Sequence, residues 1–124
     1  MFDHVKFGVS NYAASKAFYL KALAPLGVTA GGEGDPSYGI EICGRNNASL
    51  CLFQARGTPA PMHIAFVAAT RQEVDAFYNA ALAAGGKDHG APGLRPKYHA
   101  HYYAAFVLDP DGHNIEAVCH TPTP

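Results

Sequence analysis

Charge is scarce in this sequence: only 15 % of the 124 residues are Asp, Glu, Lys or Arg, and the two signs are scattered through the chain to a formal net charge of −1. That balance leaves no electrostatic footprint for nucleic acid or for an anionic membrane surface, so neither partner is expected. A long apolar run is missing from the start as well. Met1 leads directly into Asp3, His4 and Lys6, which supplies neither a signal-peptide core nor a spanning helix, and a cytoplasmic location is the expectation. Cysteine is sparse and odd in number. Cys43, Cys51 and Cys119 show no CxxC spacing, which argues against a disulfide framework and a zinc ribbon and leaves them as thiols.

What is present points to one folded domain. Apolar residues make up 48 % of the chain, enough to bury a core, and the length suits a single compact unit. Seven histidines are many for this size, and several stand beside tyrosine or acidic residues, which directs attention to metal or proton chemistry.

The chain also repeats itself. A shift of 59 positions lays His4-Val-Lys-Phe7 on His63-Ile-Ala-Phe66, Ala17-Phe18-Tyr19 on Ala76-Phe77-Tyr78, and Gly27 on Gly86, with nine identities over positions 4–27. Each half opens on an alternating run that predicts a strand, Val5-Phe7-Val9 and Ile64-Phe66-Ala68. A helix follows each. In the second, Thr70 and Glu73 form a capping box, Val74, Phe77, Tyr78, Ala81 and Leu82 make one apolar stripe, and Gly85-Gly86 ends it. Ser15, Phe18, Tyr19, Ala22 and Leu23 hold the same register in the first. Further strands are predicted over 38–43 and 49–54, then 103–108 and 114–119, with Asp109-Pro110-Asp111-Gly112 as a tight turn. The resulting α+β plan has module one at 1–56, a linker at 57–61, module two at 62–120 and a tail at 121–124.

Strand parity carries the functional reading. Side chains alternate across a strand, so apolar Val5, Phe7 and Val9 send His4 to the face away from the helix, and Ile64 and Phe66 send His63 the same way. Ile115 and Ala117 likewise leave Asn114, Glu116 and Val118 on that face. If the halves fold alike, their sheets form one curved mixed surface with helices outside and His4, His63 and Glu116 converging on a central metal-binding cavity. Two imidazoles and one carboxylate are the set of open catalytic zinc sites and of non-haem iron. Pairing the turns places Cys51 at the position equivalent to Glu116, lining the cavity as a packed thiol.

These motifs resemble the vicinal oxygen chelate superfamily, the glyoxalase, bleomycin-resistance and dioxygenase fold. The resemblance rests on His4-Val-Lys-Phe, Met62-His63-Ile-Ala-Phe and Leu108-Asp-Pro-Asp-Gly-His-Asn-Ile-Glu116. It implies two tandem βαβββ modules, one divalent ion (Zn, Fe, Ni or Mn) on the three residues already reached by parity, a small-molecule substrate bound through paired oxygens, and a homodimer whose site sometimes draws on two chains. It also implies a glyoxalase-like lyase or isomerase. The alternatives are an Fe(II) extradiol-type dioxygenase and a non-catalytic binder of the bleomycin-resistance type. Glyoxalase I carries a metal-binding carboxylate, also its base, where this chain has Cys51.

The segment from Gly90 to Tyr103 reads as a lid or pocket wall. Within it Arg95 and Lys97 suit a carboxylate or phosphate, Tyr102 suits substrate contact, and Tyr98, His99 and His101 are candidates for proton transfer. His89, His113 and His120 read as turn or surface residues, and Tyr19 and Tyr78 as core.

Overall fold

The structure, a computed structural model, describes residues 1–122; the last two residues of the expected tail lie outside the described residues. Each half opens on a strand, β1 (His4–Val9) and β5 (His63–Val67), and continues into a helix, α1 (Tyr12–Leu23) and α2 (Arg71–Ala83). The two helices start alike, because Asn11 Oδ1 accepts from the Ala14 N–H at 3.1 Å and Thr70 Oγ1 from the Glu73 N–H at 3.1 Å. Those residues sit at equivalent places of the repeat, and each satisfies one of the orphan donors of a first turn. A 3-10 turn at Ala24–Leu26 extends α1 and stops at Gly27, whose φ of 81° falls in the left-handed region that favours glycine.

Three strands follow each helix: β2 (Thr29–Glu33), β3 (Ile40–Cys43) and β4 (Ser49–Gln54), then β6 (Lys87–Leu94), β7 (Tyr103–Leu108) and β8 (Asn114–Cys119). They assemble as two four-stranded sheets of matching order, β1-β4-β3-β2 and β5-β8-β7-β6, with the β1–β4 and β5–β8 pairs parallel and the rest antiparallel. The strands β2 and β6 escape a reading by alternation. Every residue of β2 is exposed, and β6 contains two glycines and Pro92 with its register broken twice. As edge strands they tolerate this, since proline forfeits no interior ladder bond there. Gly90 to Leu94 thus belong to β6 and Tyr103 opens β7, so the expected lid is a loop only from Arg95 to Tyr102.

The two helices pack on each other as well as on their own sheets, and one core spans both modules. Phe18 and Tyr19 meet edge to face at 5.1 Å between centroids, and a side chain at Gly86 would strike the Phe18 ring. The closing turn of module two fastens the halves. Tyr19 donates its hydroxyl to Asp109 at 2.5 Å in the buried interior, Ser10 donates both its N–H and its hydroxyl to Asp111, and Arg45 pairs with Glu73 at 2.6 Å. His113, expected at the surface, is fully buried; its Nδ1 accepts from the Met62 N–H at 3.0 Å and its ring meets Phe7 edge-on. Among the described residues no helix is long and apolar enough to cross a membrane.

This packing decides where the polar faces point. A pair of sheets closing around one hollow with helices outside would bring the two polar faces together within one chain. Here the helices share a core, and each sheet's polar face is turned away from it.

Candidate functional site

In module two the alternation that buries Ile115 and Ala117 puts Asn114 and Glu116 on the open face beside His63. His63 pairs directly with Asn114 and Ala65 with Glu116, so Glu116 stands diagonally from His63. Their reactive atoms meet: His63 Nε2 is 2.8 Å from Glu116 Oε1. Glu116 is only 3 % exposed, and a buried carboxylate requires partners. Its second oxygen accepts the Tyr102 hydroxyl. Burial, and then the carboxylate itself, push the Tyr102 phenol up to about 12, so it stays protonated at neutral pH and acts as a donor. On the far side of the imidazole, Asn114 Nδ2 lies 3.0 Å from His63 Nδ1, while Asn114 Oδ1 is buried with no partner.

His63 and Glu116 offer two donors of the kind a divalent ion takes. Two ligand atoms each about 2.1 Å from one metal lie roughly 3 Å apart, the spacing of the His63 and Glu116 atoms. The orphaned Asn114 Oδ1 is the acceptor that a metal-binding imidazole, protonated on Nδ1, would need.

Module one carries the corresponding geometry with different chemistry. His4 pairs with Ser49 and Lys6 with Cys51, the same diagonal that relates His63 to Glu116, so Cys51 does hold the equivalent position on the open face. Its direct partner on β3 is Glu41. Cys43 stands nearby, its thiol pushed up by burial and by Glu41. His4 is exposed, with Nδ1 2.6 Å from Asp3. Among the described residues no three His, Cys, Asp or Glu side chains converge on a point fit for one ion, so a single chain does not bring His4 to His63 and Glu116.

The loop after β6 walls this half-site. A pocket of about 290 Å³ is lined by His89, Arg95, Lys97, Tyr98, Phe106 and Asn114 among others, without a carboxylate. The Arg95 guanidinium lies 5.4 Å over the Phe106 ring and donates to Ala91 O at 2.7 Å, and Lys97 Nζ lies 5.1 Å from the Tyr98 ring. Tyr98 leans on Tyr102 at 4.7 Å. His99 meets the Tyr102 ring edge-on at 5.4 Å, its Nε2 2.8 Å from His120 Nδ1 and its Nδ1 accepting the His101 N–H at 3.1 Å. Of the loop candidates, Tyr102 is therefore the one that touches Glu116. Asn114, Phe106 and His120 were not among the candidates; parity alone marked Asn114, and nothing local marked the other two.

A larger groove of about 700 Å³ runs beside β1 and β5 and is mainly apolar, with Phe2, Val5, Leu26, Ile64 and Phe66 in its walls and His63 at its rim. Phe2 and Val67 there are 71 % and 64 % exposed.

The model of the Glyoxalase/Bleomycin resistance protein/Dioxygenase superfamily matches residues 1–117, and the chain belongs to that family. No curated protein matches it. Among solved structures it is similar to a glyoxalase/bleomycin resistance protein from Albidiferax ferrireducens T118, at 29 % identity and a TM-score of 0.79 over 98 % of this chain and 99 % of that one. The oxidase ChaP-H2 is 25 % identical with a TM-score of 0.69, over 98 % and 94 % of the two chains. A glyoxalase/bleomycin resistance protein/dioxygenase family enzyme from Burkholderia phytofirmans PsJN shares the fold at 17 % identity, with a TM-score of 0.74 over 96 % and 98 %.

Proposed function

We propose that the protein is a metal-dependent, glyoxalase-like enzyme of the lyase or isomerase class, working as a homodimer in which His63 and Glu116 of one chain and His4 of a second copy complete each site. The observation that carries this reading is the 2.8 Å approach of His63 Nε2 to Glu116 Oε1 on a face that lacks its third ligand. The apolar groove along the unpaired edges of β1 and β5 supports a second copy as the supplier, since among the described residues both strands leave that side without a partner.

The ion, whether zinc, iron, nickel or manganese, would polarise paired oxygens of a small substrate as a Lewis acid. The protein's own groups do the rest. Arg95 and Lys97, with no carboxylate in the pocket wall, favour an anionic substrate and hold it against Phe106 and Tyr98. Tyr102, protonated and aimed at Glu116, can give a proton to a substrate oxygen displaced toward Glu116 Oε2. His99 and His101 lie one layer further out, behind Tyr102, and Cys51, from the other module's face, supplies a small wall.

A complementation experiment tests both halves of the reading. His4→Ala and His63→Ala should each lose metal and turnover. Refolded together, they should regain up to half the sites per mixed dimer, because one of its two sites draws an intact His4 and an intact His63 from different chains. A site built within one chain regains nothing.

A second reading keeps the ligands and makes the ion Fe(II), with ring cleavage by dioxygen. It is favoured by the two-histidine, one-carboxylate set and by the likeness to an oxidase. Oxygen uptake with a panel of catechols separates the two. Full metal-free protein that takes up no ion would instead indicate a binder of the bleomycin-resistance type.

A further inference from the structure

Asn114 occupies an unusual place. It opens β8 as the direct cross-strand partner of His63, with its side chain half-buried on the open face. Its amide is used on one side only: Nδ2 is 3.0 Å from His63 Nδ1, and Oδ1 is buried without a partner. A buried carbonyl left unmet costs stability, and native proteins seldom keep one without a reason.

The hydrogen bonds around the imidazole supply the reason. An amide N–H can point at Nδ1 only if Nδ1 bears a lone pair, which puts the proton of the neutral ring on Nε2. From there it is donated to Glu116 Oε1, 2.8 Å away. Without an ion, then, the two ligand groups hold each other. An ion needs the Nε2 lone pair, so the proton must move to Nδ1, where Nδ2 would oppose it. A half-turn of the amide brings Oδ1 to the same spot and converts the clash into a hydrogen bond.

We infer that Asn114 is a positioning residue for the metal site, a two-way partner whose amide turns over as His63 changes tautomer. This rests on the metal-site reading above. It differs from a fixed carboxylate or backbone carbonyl behind a ligand histidine, which favours the metal-bound tautomer alone. The asparagine serves either tautomer, keeping the empty site ordered while making the ion displace the His63–Glu116 contact.

The test uses the full-length protein and zinc alone. Affinity measured by competition with a chromophoric chelator should fall about 10- to 100-fold in Asn114→Leu, and should be kept or raised in Asn114→Asp, whose carboxylate only accepts. In parallel, ¹⁵N resonances of the His63 ring report the tautomer. The metal-free wild type should show the proton on Nε2 and a bare Nδ1, and metal-free Asn114→Asp should show a proton on Nδ1 as well, because a carboxylate then faces each nitrogen. Unchanged affinity in Asn114→Leu, or a bare Nδ1 in metal-free Asn114→Asp as in the wild type, overturns the inference while leaving the metal site standing. A wild type that binds no zinc, nickel, manganese or iron overturns both.

Discussion

Removing one oxygen atom at Tyr19 should measure how firmly the two modules are joined. The Tyr19 ring and its neighbours are fully buried, and the hydroxyl donates to Asp109, itself only 5 % exposed. Asp109 also accepts the Asp111 N–H at 2.9 Å and the His113 N–H at 2.8 Å. In Tyr19→Phe the ring keeps its edge contacts with Phe7 and Phe18, so the loss is confined to one hydrogen bond to a carboxylate that water cannot reach. Such a bond contributes about 1.5 to 3 kcal/mol. With an unfolding entropy of about 2.1 cal/mol/K per residue, a loss of about 2 kcal/mol lowers the midpoint by about 8 °C. Scanning calorimetry on the two proteins reads this directly. Tyr78→Phe is the control, because its hydroxyl and its Asp88 partner lie near the surface, and it should shift the midpoint by about 2 °C or less. Equal midpoints for wild type and Tyr19→Phe would refute the view that this contact joins the halves.

Other outcomes follow from the same coordinates. Gly39→Ala should fail to fold or lose more than about 3 kcal/mol, because φ is +96° and a Cβ would lie 1.6 Å from the Leu52 carbonyl oxygen; soluble expression and urea denaturation check it. Lys16 and then Tyr12 hold the Glu33 carboxyl below its usual range. A depressed carboxyl contributes above its unfolded value and is lost as pH falls through its folded one, so Glu33→Gln should lower stability slightly at neutral pH, leave the most acidic points unchanged, and so flatten the acid limb of a stability-versus-pH curve. Phe77→Ala, at the centre of the shared core, should cost about 3 to 5 kcal/mol by denaturant titration.

Local periodicity carried much of the site. His63 and Glu116 share a face because strands alternate, and the match of Lys6 with Cys51 to Ala65 with Glu116 is the repeat expressed as register. The Thr70 cap was legible for a similar reason, since it needs only its own next three residues. Relations between elements were not legible. The same apolar stripes on α1 and α2 suit helices lying outside a closed sheet or helices packed on each other, and only the second separates His4 from His63. His113 shows the same limit: its turn reads as surface, yet the turn is pressed against Phe7 of the other module. His99 and His120 meet through a loop that no spacing rule describes.

The hydroxyl of Tyr19 finds its acceptor 90 residues later in the chain. During synthesis the first module therefore leaves the ribosome with the outer flank of α1 bare and a phenol awaiting its counterpart, and this persists until the turn at Asp109 has emerged. At roughly 5–20 residues per second that interval lasts about 5 to 20 s. A message cut short between the modules would yield a polypeptide with an apolar flank that nothing in its own length can cover.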